Sequence, residues 1–255
     1  MCRLAAYIGK AIPLRRLLLD AKHSLYVQSW QPKELQYAKL NADGFGFGWY
    51  QPDGRTAVYR NPMPIWSDAN LSDLADSLCS ERWLAMVRSA TSNFATSIDN
   101  TQPFKDGCYL YMHNGYIKDF NNTLRQAIIA ELADSIIASL RGLSDSEYLF
   151  ALLRQLIADN PDKEFAIIIK DFIAWLMTHI NEDEALLNII VSDSHAIYAL
   201  RYAINGNAPS LYYLAEKDRL WIASEKLDDT QDWCAFSEKR LMIARLGATI
   251  QWLDL

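Results

Sequence analysis

The stretch Asn41-Ala42-Asp43-Gly44-Phe45-Gly46-Phe47-Gly48-Trp49-Tyr50 decides the class of fold, because its spaced glycines suggest either a loop or a strand. A phosphate-cradling G-x-G-x-x-G loop opens a helix, whereas these glycines run into the strand-forming pair Trp49-Tyr50. Glycines at period two line one face of a strand and leave the aromatic residues on the other. Such a face lets a second backbone or a ligand approach closely, and both interpretations stay open.

Further strands are predicted on both sides of this one, with helices in the middle of the chain. The strand segments are rich in β-branched and aromatic residues: Leu4–Ile8, Phe45–Tyr50, Thr56–Arg60, Trp83–Arg88, Cys108–His113, Leu187–Ser192, Ala196–Tyr202, Leu211–Leu214, Leu220–Ala223 and Ala248–Leu253. The helical segments are Asn70–Leu78, Asn122–Leu140, Asp145–Ala158 and Lys163–His179. Ser144-Asp145-Ser146-Glu147 is typical of a capping box at a helix start. Strands, then helices, then strands predict an α+β fold without the alternation of a parallel sheet.

Composition narrows the possible functions. The chain has 255 residues, 51% of them hydrophobic and 22% charged, which predicts a large buried core. This length allows one large domain or two small ones, and we expect a single domain spanning residues 1–255, because no repeat, low-complexity run or Gly/Ser linker breaks the chain. A net charge of −6 argues against a nucleic-acid partner. Four cysteines without C-x-x-C spacing favour free thiols over a disulfide scaffold or a zinc site. We therefore expect neither a metal nor a cofactor.

Targeting signals are not recognisable in the sequence. The first ten residues lack the basic and apolar regions of a signal peptide. The apolar segment Phe165–Met177 is interrupted by Lys170-Asp171 and is too short for a membrane span. We expect a cytoplasmic protein without a membrane partner.

Cys2 is the first candidate for catalysis. Removal of Met1 would leave Cys2 with both a thiol and a free α-amine, whose pKa in model peptides is about 7.7–8.0. This amine can take the thiol proton directly or through one water, so no separate histidine is needed. The alternatives are a small apolar residue that begins a strand, and a cysteine protease pair with His113.

Three other segments carry groups of complementary chemistry. Arg88 ends an apolar strand, where it reaches a cleft or forms a surface ion pair. Asn114-Gly115 follows another strand and offers either two donors to an oxyanion or a hairpin turn. Asp145 begins a helix, where it either binds a cation or complements the helix dipole. Together with a thiol, these groups suit a γ-glutamyl substrate, which has an α-carboxylate, an α-ammonium and an amide carbonyl.

Seven segments occur in the order seen in one family. They are Met1-Cys2-Arg3-Leu4, Asn41-Ala42-Asp43-Gly44-Phe45-Gly46, Val87-Arg88-Ser89-Ala90-Thr91, Asn100-Thr101-Gln102-Pro103-Phe104, His113-Asn114-Gly115, Ser144-Asp145-Ser146-Glu147 and Ala223-Ser224-Glu225. The chain thus resembles the class II (N-terminal nucleophile) glutamine amidotransferases over most of its length. The resemblance implies a four-layer αββα sandwich of two antiparallel sheets, the N-terminal nucleophile hydrolase fold.

The resemblance also implies a role for each candidate. Met1 is removed, and Cys2 attacks a γ-glutamyl amide to form a thioester. Asn114 and Gly115 form the oxyanion hole.

Substrate binding follows from the same family pattern. The resemblance implies that Arg88 binds the α-carboxylate and Asp145 the α-ammonium. Thr91 and His113 are then neighbours of the substrate.

Two further segments, Leu25–Pro32 and Arg60–Asp68, resemble a stand-alone subgroup of this family. It contains hydrolases that remove the γ-glutamyl group of γ-glutamyl hercynylcysteine sulfoxide in ergothioneine biosynthesis. Tyr26–Trp30 and Pro62–Trp66 are candidate segments for contact with the leaving group. The leaving group itself stays open.

Other functions remain as alternatives. The chain is otherwise a glutaminase subunit that supplies ammonia to a separate synthetase, or a general γ-glutamyl peptide hydrolase. A third alternative is a binding protein that kept the pocket without the chemistry. A homo-oligomer is compatible with each of these functions.

Overall fold

The computed structural model describes residues 1–34, 39–90 and 96–255, and thirteen strands lie among these residues. They are Arg3–Pro13 (β1), Phe45–Tyr50 (β2), Thr56–Asn61 (β3), Cys79–Val87 (β4), Phe104–Asp106 (β5), Tyr109–Ile117 (β6), Ala185–Ser192 (β7), Ala196–Ile204 (β8), Tyr212–Glu216 (β9), Arg219–Ala223 (β10), Cys234–Ala235 (β11), Arg240–Arg245 (β12) and Gln251–Asp254 (β13). The α-helices are Arg15–Leu18 (α1), Leu25–Trp30 (α2), Leu71–Ser77 (α3), Leu124–Glu131 (α4), Asp134–Ile137 (α5), Asp145–Asp159 (α6) and Phe165–His179 (α7). Ile65–Ser67 and Ile98–Asn100 are single 3₁₀ turns.

The strands form two antiparallel sheets. One sheet has the order β11-β9-β10-β1-β4-β2-β3, and the other has the order β13-β12-β8-β7-β6-β5. The first strand of the chain lies at the centre of the first sheet, between β4 and β10. The residue that precedes β1 is therefore held at the end of a central strand that is paired on both sides.

Three hydrophobic cores separate four layers. Helices α1–α3 pack on the outer face of the first sheet through residues such as Leu17 and Trp83. The inner faces of the two sheets meet through residues such as Met86 and Met112. Helices α4–α7 cover the outer face of the second sheet, where Leu149 is fully buried. This arrangement confirms the predicted α+β fold and its αββα order of layers.

The glycine-rich strand β2 fits the packing interpretation. A Cβ on Gly46 would overlap the carbonyl oxygen of Gln102, and one on Gly48 would lie 3.1 Å from Leu110 Cδ1. The opposite face carries Phe45 and Phe47 into the core under helices α1–α3. The glycines thus allow the second sheet to approach closely, as a side-chain-free face permits.

Several element boundaries differ from the sequence predictions. The predicted helix Asn122–Leu140 is two helices, because the backbone turns extended at Leu132 and the N–H of Ala133 is bound by Gln155. The helices α1 and α2 and the strands β5, β11 and β12 were not predicted, and all five have six residues or fewer. Short segments carry too little periodicity to be recognised.

None of the helices in the described ranges has the length and apolar character needed to cross a bilayer.

Candidate functional site

The nucleophile candidate lies where β1 meets β4. Arg3 pairs with Val87 in the register of these strands, so Cys2 and Arg88 stand at the same end of the sheet. The Cys2 thiol faces the carbonyl of Ser89, with Sγ and oxygen 3.7 Å apart. The predicted strand ending at Arg88 thus delivers that residue beside Cys2.

A small cavity of about 40 Å³ brings most of the predicted site together. It is lined by Cys2, Arg88, His113, Gly115 and Asp145, with Met1 among the other lining residues. A larger cleft of about 310 Å³ near Trp233 contains none of the predicted residues. The chemistry of the smaller cavity, rather than its size, marks it as the candidate site.

Arg88 is a buried cation without an acidic partner in the described ranges. It is 5% exposed, and its Nη1 donates to the carbonyl of Asp43 at 3.2 Å. None of the ion pairs among the described residues includes Arg88, and the residues outside those ranges contain no Asp or Glu. The surface ion pair considered as an alternative is therefore not seen. A buried charge requires compensation, and the cavity is where an anion would provide it.

Asp145 is the first residue of α6 and is 7% exposed. Its Oδ2 accepts the N–H of Ile117 at 2.9 Å, and its Oδ1 accepts the N–H of Ser146 at 2.7 Å. The helix cap is Ser144, whose side chain accepts the N–H of Glu147 at 3.3 Å, as predicted. Asp145 is thus fixed against β6 with its carboxylate at the cavity.

His113 is buried and has both ring nitrogens occupied. Nε2 lies 2.9 Å from the carbonyl of Leu186, which can only accept, so Nε2 carries the proton. Nδ1 then accepts from the Ser146 hydroxyl at 2.9 Å. Burial lowers the pKa of His113 despite the opposing charge of Asp145, which favours the neutral ring. This geometry disfavours a protease-like pair in which His113 activates Cys2.

Asn114 and Gly115 lie inside β6. The prediction that the strand ends at His113 is therefore wrong, and so is the alternative that Asn114-Gly115 forms a hairpin turn. Pairing with β7 continues to Ile117, and Asn114 lies opposite Asn188. The Asn114 amide lies 3.1 Å from Ser224 Oγ, which also accepts the N–H of Leu4 at 3.0 Å. The other atom of the Asn114 amide, Oδ1, is buried and has no hydrogen-bond partner within the described part of the chain. With the amide turned by 180°, the Ser224 hydroxyl would donate to Asn114 Oδ1 and leave an N–H₂ free.

Gly115 occupies a position that only glycine fits. A Cβ there would overlap the carbonyl oxygen of Leu186 and lie 2.6 Å from His113 Nε2. The absence of a side chain brings the β7 backbone and the His113 ring close to the cavity. Gly115 therefore has a local steric reason to be glycine, independent of any turn.

Two aromatic segments that the sequence singled out come together in the structure. The Trp30 and Trp66 rings lie 6.2 Å apart, and Tyr26 packs on Trp30 at 4.8 Å. Trp30 and Trp66 are 41% and 39% exposed. The carbonyl of Ser29, next to Trp30, accepts the N–H of Asn41 at 2.7 Å, and the carbonyl of Asp43, two residues further on, accepts from Arg88 Nη1.

Sequence reasoning predicted a substrate contact for Thr91 but assigned no role to Ser224 and Glu225. Thr91 lies outside the described residues, so its predicted contact stays a prediction. Ser224 and Glu225 were recognised only as a motif, since nothing local indicates that they reach Leu4 and Arg3. The exposed thiols of the other cysteines are free, as predicted.

The chain is similar to known proteins over most of its length. The model of a family described as glutamine amidotransferases class-II matches residues 19–214. The γ-glutamyl-hercynylcysteine sulfoxide hydrolase of Mycolicibacterium smegmatis is 28% identical over 247 residues, covering 96% of each chain. The hydrolase of the same name from Mycobacterium tuberculosis is 29% identical over 256 residues, covering 100% of this chain and 97% of the relative. A glutamine aminotransferase class-II domain protein from Silicibacter pomeroyi has a similar solved structure, with a TM-score of 0.70, 24% identity and 99% of both chains covered.

Proposed function

The chain belongs to the class-II glutamine amidotransferases, and we propose that it hydrolyses a γ-glutamyl amide with Cys2 as its nucleophile. It is an amidohydrolase, as its family and its hydrolase relatives indicate. The proposal rests on one observation: Arg88 and Asp145 both line the cavity beside Cys2, and Arg88 is buried without an acidic partner among the described residues. One cation and one anion suit the two charges of a free glutamyl end.

Arg88 binds the substrate α-carboxylate through its guanidinium, and Asp145 accepts the α-ammonium. Both side chains are oriented by backbone groups, which lowers the entropy lost on binding. His113 supports the substrate as a neutral ring held by Ser146. Thr91 is proposed as a further neighbour, from the family pattern alone.

The reaction requires that Met1 be removed. The α-amine of Cys2 then takes the thiol proton, and the thiolate attacks the amide carbonyl. In model peptides such an α-amine has a pKa of about 7.7–8.0, so a fraction of it is the free base at neutral pH. The amine leaving group departs with a proton, and water hydrolyses the thioester to release glutamate.

Two donors stabilise the oxyanion. With its amide turned, Asn114 offers Nδ2, and Gly115 offers its backbone N–H. Fixed donors of this kind contribute about 10²–10³ each to the rate. Ser224 holds the orientation of Asn114 by donating to Oδ1.

Loss of Met1 also enlarges the site. Its side chain packs against Leu186, Ala203 and Ala208 and lines the cavity beside Cys2. At about 40 Å³, the present cavity has room for only a few waters. Processing thus exposes the nucleophile and makes space for the glutamyl group in one step.

The leaving group we propose is that of γ-glutamyl-hercynylcysteine sulfoxide, the substrate in the names of the mycobacterial relatives. Hercynine is the trimethylated betaine of histidine, so this group presents a quaternary ammonium. Aromatic faces bind such cations, and Tyr26, Trp30 and Trp66 form an aromatic cluster in which both tryptophans are exposed. We also propose that the chain is one domain, because β1 pairs with both β4 and β10.

The test combines intact-mass measurement with glutamate release from a panel of γ-glutamyl amides. We expect a mass without Met1, no turnover in Cys2→Ala, and a preference for the hercynyl conjugate over glutamine and glutathione-like peptides. Cys79→Ala, at an exposed thiol, is the matched control and should behave as wild type. Turnover in Cys2→Ala, or a retained Met1 in active protein, would overturn the mechanism. Equal rates across the panel would indicate the general γ-glutamyl hydrolase instead.

A further inference from the structure

Arg3 and Glu225 form a buried pair directly behind the nucleophile, and we propose that they are positioning residues for Cys2. The inference rests on the proposed function of Cys2, but its geometry involves other residues. Arg3 is fully buried, and Glu225 is 1% exposed. Nothing in the sequence motif alone assigns a role to either side chain.

Arg3 connects the nucleophile to Glu225 through one guanidinium. Its Nε donates to the carbonyl of Cys2 at 2.7 Å, and its Nη1 donates to Glu225 Oε1 at 3.1 Å. The same guanidinium thus holds the backbone of the catalytic residue and a fixed carboxylate. Lysine, with a single ammonium, lacks this planar fork.

Glu225 is itself held from several directions. Its Oε2 lies 2.6 Å from His23 Nε2 and accepts the N–H of Lys33 at 2.9 Å. Its Oε1 also accepts the N–H of Glu34 at 2.9 Å. Burial acts to raise the pKa of Glu225, but these hydrogen bonds and the Arg3 charge hold it below its usual value. The carboxylate is therefore an ionised, rigid anchor.

A terminal nucleophile needs such an anchor more than an internal one does. Once Met1 is removed, no peptide precedes Cys2, and the pairing of β1 with β4 begins only at Arg3. Tilting of the peptide plane between Cys2 and Arg3 would swing the amine and the thiol together. The hydrogen bond to the Cys2 carbonyl restrains this plane, which is the base from which both groups are aimed at the cavity.

The cost of burial supports a positional role. Burying an ion pair costs desolvation, and apolar residues of the same volume often stabilise a fold at least as well. Arg3 Nη2 remains buried without a partner, which adds to that cost. The neighbouring Ser224 ties the same segment to Leu4, so the anchor acts at the start of β1.

The experiment compares Arg3→Lys and Glu225→Gln with wild type in a background where Cys79, Cys108 and Cys234 are serine. Glu238→Gln is the matched control, because it removes an exposed ion pair with Arg201. Three quantities are measured: the melting temperature, kcat and KM for a γ-glutamyl amide, and the rate at which iodoacetamide alkylates Cys2. The alkylation rate does not depend on the identity of the substrate.

We expect both variants to lower kcat by about tenfold to a hundredfold, with KM changed by less than roughly twofold. Alkylation of Cys2 should slow, because a misplaced amine no longer takes the thiol proton. Glu238→Gln should change none of these values. Slower alkylation without any wild-type turnover would support the positioning role and overturn the proposed function alone. Unchanged kcat and alkylation at an equal folded fraction, or a raised KM with unchanged kcat, would overturn the positioning role.

Discussion

The strands β2 and β6 both contain glycines that no other residue can replace without movement, yet they serve different purposes. On β2, Gly46 and Gly48 face the second sheet, and a Cβ would meet Gln102 or Leu110. On β6, Gly115 borders a cavity lined by charged and polar side chains. Close approach of another backbone or side chain to a glycine therefore does not by itself indicate a functional site. What distinguishes the two is whether polar groups beside the glycine remain free for a ligand.

The difference extends to the residues that accompany each glycine. Phe45 and Phe47 alternate with the β2 glycines and are buried in an apolar core. Asn114 precedes Gly115 and carries a buried amide atom that has no hydrogen-bond partner among the described residues. Unsatisfied buried polar groups are uncommon in folded proteins and call for an explanation, which the proposed oxyanion contact would provide for Asn114. β2 therefore contributes to packing, and β6 contributes to the candidate chemistry.

The largest effect is expected for Gly115→Ala. The added Cβ would overlap the carbonyl of Leu186, so the backbone of β6 must shift and displace both proposed oxyanion donors. Because each donor is worth about 10²–10³ in rate, kcat should fall by more than about 10³. The strain should also lower the free energy of unfolding by about 1–3 kcal/mol. Stopped glutamate assays and urea unfolding check both values; activity above a tenth of wild type would contradict the assignment of β6.

Asn114→Ala should have the next largest effect, and it isolates one donor. We expect kcat to fall by about 10²–10³, with little change in KM, since the proposed contact with the oxyanion forms only in the transition state, whereas loss of the hydrogen bond to Ser224 affects stability. Asn188→Ala is the matched control, because Asn188 lies directly opposite on β7 and binds the carbonyls of Pro209 and Ser210. It should reduce stability but leave kcat per folded molecule unchanged. Equal losses of kcat in the two variants would show that the effect is structural.

The sequence predicted these two strands with unequal success, for physical reasons. β2 was predicted with its observed boundaries, because its alternation and the flanking turn residues are local signals. Asn114-Gly115 was assigned to a strand end, since this dipeptide is typical of turns, and only the pairing with β7 shows that β6 continues. Glu225 could not be assigned at all, because its partner Arg3 is 222 residues away. The sequence thus predicted the chemical types of the candidate residues and the order of their segments along the chain, but not which distant residues contact each other.

The smallest effect is expected for Gly48→Ala, which tests the packing role of β2 directly. The new Cβ would lie 3.1 and 3.2 Å from the two Leu110 methyl carbons and 3.4 Å from Val58 Cγ1. These are ends of flexible side chains in an apolar core, so a small rotation relieves the contact. Alanine also restricts the unfolded chain and so stabilises by about 0.4–1 kcal/mol, which offsets part of the crowding.

The free energy of unfolding of Gly48→Ala should therefore stay within about 1 kcal/mol of wild type, with kcat and KM unchanged. Urea unfolding and the glutamate assay provide the measurement, and Gly115→Ala in parallel provides the contrast. A tenfold fall in kcat for Gly48→Ala would mean that the glycine face of β2 reaches the substrate. The assignment of β2 to packing alone would then be wrong. The alternative interpretation, in which the Gly44–Gly48 face contacts a ligand, would be favoured instead.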